Sequence, residues 1–145
     1  MSSFSDSAAE PEIIADQVNL AAAVLLVEVM MADHEVKQEE ISQITNILEG
    51  LFRIEKDKSV TLIEEACEKH HELVSLHEMT SIVNEQQDQQ LKRKLVFAMW
   101  CIAFADKDKD KYEEHLIRKV ADLLYLSHSD FIKARHEAEA KCAQG

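Results

Sequence analysis

Ala105-Asp106-Lys107-Asp108-Lys109-Asp110-Lys111-Tyr112-Glu113-Glu114 sets a run of carboxylates between two strongly apolar helical patterns. A second stretch, Ala32-Asp33-His34-Glu35-Val36-Lys37-Gln38-Glu39-Glu40, repeats its form. Asp33 and Asp106, Glu35 and Asp108, Glu40 and Glu113, and Ile44 and Ile117 all share one offset of 73 positions. A single gapless superposition therefore carries the acids and part of the apolar stripe that follows them, the mark of an internal duplication.

The flanks of the two bends match as well. Upstream of the first, over about residues 13–31, Ile13, Ile14, Val18, Leu25, Leu26, Val29 and Met30 cover more than one stripe of a helix, which predicts a central buried element. Residues 89–105 have the same breadth, with Leu91, Leu95, Val96, Met99, Trp100 and Ile102. Downstream, residues 38–52 and 112–126 read as amphipathic helices whose first turns hold acids, where carboxylates complement the helix dipole. Ser59 is read as the N-cap of a helix running towards Leu73, Ser75 as that of a shorter one through Val83, and Ser127 or Ser129 as the start of the last. Two Gly and one Pro in 145 residues are too few for the turns of a β-rich chain, so the fold is all-α. The length suits one domain. Its expected limits are residues 12–142, behind a flexible tail over 1–11 that is rich in Ser, Ala and acid.

With 28 acids against 16 bases the formal net charge is −12, which argues against a nucleic-acid partner, since such binding needs clustered Lys and Arg. Cys67, Cys101 and Cys142 are odd in number and show no CxxC pairing, which fits a reducing compartment. The first 16 residues carry acids where a signal peptide needs bases, and the apolar stretch over 18–32 is short and interrupted by Glu28. The expectation is a cytoplasmic protein without membrane insertion.

Alternating acids in a short bend can point several oxygens at one hard cation, calcium or magnesium ahead of zinc. Asp106, Asp108 and Asp110 have that spacing, and Glu113 or Glu114, in the first turn of the next helix, can close the set. The matching set is Asp33, Glu35, Glu39 and Glu40, with Lys37 in place of the third alternating acid, so the first site is the weaker. An EF-hand is excluded, because Lys111 stands where that loop needs Gly and Ile117 where it needs a bidentate Glu. Two other readings stand beside the metal. The acids can simply cap helices and solvate the bends, or both bends can meet on one edge and form an acidic docking surface for a basic protein partner.

The two acidic segments, the second extended through His115-Leu116-Ile117-Arg118-Lys119-Val120-Ala121-Asp122-Leu123-Leu124, resemble the signatures of the TerB-like tellurite-resistance proteins. The N-terminal domain of the membrane-anchored co-chaperone DjlA is similar. The resemblance spans about residues 16–139 and implies a compact bundle of about seven helices built from two related halves, with acidic bends that bind divalent metal. It also implies a non-enzymatic accessory module in tellurite and chemical-stress responses, alongside membrane-bound partners. This sequence has His34 and Lys107 where the family pattern has Gly.

Other candidate chemistry is thinner. His70, His71 and His77 match neither HExxH nor a Cys/His zinc spacing and read as surface residues, while His34 and His115 flank the bends. Trp100, Phe97, Met99 and Phe104 read as core, with Cys101 a buried thiol among them. Cys67 and Cys142 are the cysteines that an oxyanion could reach. A metal-dependent hydrolase is the less favoured enzyme reading, for no nucleophile is paired with a base.

Overall fold

Central buried helices need neighbours on every side, and the chain supplies them in order. The structure is a computed structural model that describes the backbone over residues 3–33, 38–71, 75–105 and 111–142, and the side chains over 11–32, 41–70, 75–105 and 113–141. Seven helices make up its architecture: α1 (Ser3–Met30), closed by a 3-10 turn (Met31–Asp33), α2 (Gln38–Gly50), α3 (Lys56–His71), α4 (Leu76–Asn84), α5 (Gln89–Ala105), α6 (Lys111–Leu123) and α7 (His128–Cys142). No strand occurs among the described residues. The fold is the expected all-α bundle.

α1 and α5 form its centre. Every residue from Ala21 to Val27 is buried, as is every residue from Leu95 to Ala103 except the half-buried Phe97. α1 packs on α3, α4 and α5, and α5 packs most extensively on α7. The helix reaches back to Ser3, through Pro11, where a tail was expected; over residues 11–17 every residue except Ile14 is exposed. The apolar stretch Pro11–Met30 is, by length and composition alone, long enough to cross a membrane, contrary to the short span read from sequence. More than half of it, 56%, is buried inside the bundle, as befits a core helix.

The relation between the two bends extends to whole elements. Gln38 and Lys111 open α2 and α6, Gly50 and Leu123 close them, and both pairs keep the offset of 73. Ile44 and Ile117 are both fully buried. Each helix then ends on a residue with left-handed backbone, Arg53 (φ 56°) after α2 and Tyr125 (φ 57°) after α6. In each case the following apolar residue turns its N–H back onto the helix, Ile54 to Leu48 O at 3.0 Å and Leu126 to Ala121 O at 3.0 Å. The first of these returns spans one residue more. Beyond it the buried positions pair at 72: Ile54 with Leu126, Ser59 with Phe131, Leu62 with Ala134, and Ala66 with Ala138.

Left-handed backbone costs a side-chain-bearing residue about 1 kcal/mol. Tyr125 is 79% exposed, so its ring contributes little in return. Tyr125→Gly is therefore expected to stabilise the fold by about 0.5–1 kcal/mol in urea unfolding, offset in part by glycine's greater unfolded-state entropy.

One cap departs from the sequence reading. Ser59 is not an N-cap: α3 begins at Lys56, and the buried Ser59 hydroxyl donates to Ile54 O at 3.2 Å from inside the first turn. Ser75 is the cap expected, accepting from His77 N at 3.1 Å. At the last helix the choice falls on Ser127, whose Oγ accepts from Asp130 N.

Candidate functional site

The flanks of the two acidic bends interlock. The 3-10 turn that carries the chain into residues 34–37 packs against α6, which leads out of residues 106–110. Reciprocally, Gln43 on α2 donates through Nε2 to the Cys101 carbonyl of α5 at 3.1 Å, joining the exit of one bend to the approach of the other. These contacts tie the described flanks of one bend to those of the other.

The acids themselves divide into three groups. Glu35, Asp106, Asp108 and Asp110 lie outside the described residues, as do His34 and Lys107. Asp33, Glu39 and Glu40 have described backbone, in the 3-10 turn and in the first turn of α2, but their side chains lie outside the description. Glu113 and Glu114 are fully placed, and they differ. Glu113 is only 3% exposed in the first turn of α6 and is engaged by its surroundings. Glu114 is exposed, and its Oε1 lies 3.7 Å from Arg135 Nη2 on α7. Of the two residues able to close an oxygen set, Glu113 is the buried one.

Burial of a carboxylate costs several kcal/mol unless hydrogen bonds or an opposite charge compensate. The N-terminus of α6 supplies part of that compensation, because its free N–H groups and dipole favour an anion. Glu113 is thus not a solvated acid, and its place in the first turn of α6 also fits the helix-capping reading of the bends. Among the described residues, no group of three or more His, Cys, Asp or Glu is placed to hold a metal ion.

Sequence reasoning missed one polar pair. Glu28, taken as an interruption in an apolar stretch, lies with Oε1 2.7 Å from His70 Nδ1, the carboxylate accepting from the ring, where α1 meets α3. A lone acid inside an otherwise buried helix was the available signal. His77 lies 3.5 Å from Ser81 Oγ within α4, and His115 is exposed on α6.

The cysteines also differ from expectation. Cys101 is disulfide-bonded, not a free buried thiol, and this removes the cysteine argument for a reducing compartment. Spacing rules such as CxxC gave no sign of it. Cys67 is a free, half-buried thiol whose pKa burial pushes up. The folded state therefore holds that proton longer than the unfolded chain, and stability falls as pH rises through and beyond the ordinary thiol range. Iodoacetamide at pH 8 is expected to alkylate Cys67 severalfold more slowly in the native protein than in urea; equal rates would show an accessible thiolate.

Trp100 and Met99 take the core roles expected of them, whereas Phe97 and Phe104 are half-buried against the core and Phe97 also lines a groove. Trp100 stacks on Phe104 at 5.5 Å and meets Phe131 at 5.7 Å, while Arg135 caps its ring at 5.1 Å.

No curated protein and no solved structure matches the chain. The family pattern described as tellurite resistance protein TerB does match, over residues 19–136. That span takes in both acidic bends, the interlocked flanks and six of the seven helices in whole or large part. The chain therefore belongs to the TerB tellurite-resistance family.

Proposed function

We propose that the protein is a non-enzymatic, cytoplasmic accessory module of the tellurite and chemical-stress response that binds divalent metal through its two acidic bends. The observation that carries this reading is the burial of Glu113 beside the second bend. Hard cations take carboxylate oxygens, and this carboxylate is held at the exit of the bend that carries Asp106, Asp108 and Asp110. Asp106, Asp108, Asp110 and Glu113 would be the main ligands, with Asp33, Glu35 and Glu40 a weaker set because Lys37 replaces its third acid. Calcium or magnesium fits this donor set better than zinc, which favours nitrogen and sulfur. The matched boundaries of α2 and α6 support a duplicated origin for the two halves.

A second reading keeps the acidic bends and drops the ion. The net charge of −12 favours recruitment of a basic protein partner by the same acids, a membrane-bound stress-response component being the partner the family suggests.

Manganese, a paramagnetic stand-in for calcium or magnesium, tests the first reading. Added to isotope-labelled protein, it is expected to broaden amide signals at the 3-10 turn, the start of α2, the end of α5 and the start of α6. Broadening spread evenly over the surface, or none at millimolar ion, would leave the docking surface as the better account.

A further inference from the structure

The bundle carries two grooves at related positions, and they differ in charge. One lies between α1 and α3, about 350 Å³ in volume, lined by Ile13, Asp16, Leu20, Lys58, Leu62 and Glu65 among others. The other lies between α5 and α7, about 290 Å³, with Leu51, Phe97 and Ala134 as its apolar surface. Leu20 corresponds to Arg93 at the offset of 73; Thr61 to Lys133, Leu62 to Ala134 and Glu65 to Glu137 at the offset of 72. The first groove holds two acids against one base, and Lys58 pairs with Asp16 at 2.6 Å. The second holds four bases, Arg93, Lys94, Lys133 and Lys141, against Asp130 and Glu137.

That excess is unusual here, because acids outnumber bases 28 to 16 in the whole chain. Asp130 is occupied by Arg93 at 4.0 Å, and Glu137 stands four residues from both Lys133 and Lys141 and can neutralise only one charge. Two of the cations are also held in place against aromatic rings. Lys94 Nζ lies 5.8 Å from the Phe52 ring centre, and Lys141 Nζ lies 5.9 Å from that of Phe97. The result is an apolar trough with positive walls, of a size for one or two side chains.

We propose that the α5–α7 groove binds an acidic peptide segment of a partner protein, an apolar side chain entering against Phe97 and Ala134 while neighbouring carboxylates meet Lys94, Lys133 and Lys141. Charge complementarity brings such a segment to this face and keeps it off the acidic bends. The apolar floor distinguishes it from a bare polyanion. This inference is independent of the cation reading above.

The test uses the full chain, isotope-labelled, with a capped hexapeptide of four glutamates around two leucines as probe. Saturable amide shifts are expected along α5 and α7. Lys133→Ala with Lys141→Ala is expected to weaken binding roughly tenfold, and hexaglutamate to bind more weakly than the leucine-bearing peptide. Lys58→Ala in the opposite groove should change affinity less than about twofold, and Lys133→Arg with Lys141→Arg should retain it. Lys58, Lys133 and Lys141 are all on the surface, and far-ultraviolet circular dichroism confirms that each variant is folded. The proposal is overturned by an absence of saturable shifts on α5 and α7 at millimolar peptide, by equal binding to the double alanine variant, or by an oligothymidine of equal charge binding the groove more tightly than the peptide.

Discussion

Trp100→Ala is expected to lower the unfolding free energy by about 3–5 kcal/mol, the largest effect of any single substitution in the chain. The indole is 2% exposed and sits where α5 meets α7, between Phe104 and Phe131. Its removal would strip the packing from both rings and leave a cavity in the helix pair that packs most extensively. It would also free Arg135, which lies over the indole and pairs with Glu114. Against a typical total of about 5–15 kcal/mol, such a loss leaves a marginal protein. Trp100→Phe should cost much less, because the indole Nε1 has no hydrogen-bond partner among the described residues and its loss orphans nothing. Equilibrium urea unfolding of the two variants gives the comparison; similar losses for both would mean that α5 and α7 are not held together through this ring.

A divalent cation at 100 times its dissociation constant should add about 2.7 kcal/mol to the stability of the native state. For a chain of this size that is a rise in melting temperature of roughly 5–10 °C. The sign of the effect of removing ligands then depends on the ion. Without metal, Asp106→Asn with Asp108→Asn relieves repulsion among crowded carboxylates and should leave the protein as stable as before or slightly more so. With metal, the same variant should fall short of the wild type by most of that increment. Asp33→Asn should cost less, since the first bend has Lys37 in place of its third alternating acid. Thermal unfolding with and without calcium measures all of this, and an unchanged calcium-dependent rise in the double variant would remove the second bend from consideration.

Much of the fold was legible because helices of this breadth leave little choice. The range of α5, residues 89–105, follows directly from its apolar run, and Ser75 announces α4. The matching of the bends at an offset of 73 also carries through to the ends of α2 and α6. The change to 72 beyond them was not legible. It arises in turns whose left-handed positions fall on Arg53 and Tyr125, and neither residue type signals that conformation, while Gly50, the natural candidate, lacks a positive φ. Ser59 misled because a serine hydroxyl can cap a helix from outside or bond a carbonyl from within, and only burial distinguishes the two.

The site was legible in part. The sequence offered Glu113 and Glu114 as equivalent, and packing separates them: one is buried beside the bend, and the other faces Arg135. The pairing of Glu28 with His70 and the positive groove join residues far apart in the chain. Each depends on which helices lie side by side, and no local pattern encodes that.

The central claim is the proposal that the acidic bends work as a cation site. Calorimetric titration of calcium into the wild type and into the Asp106→Asn, Asp108→Asn variant tests it most directly. The account predicts saturable heat in the first and its loss in the second; a wild type with no saturable heat, or a variant that binds as the wild type does, would contradict it.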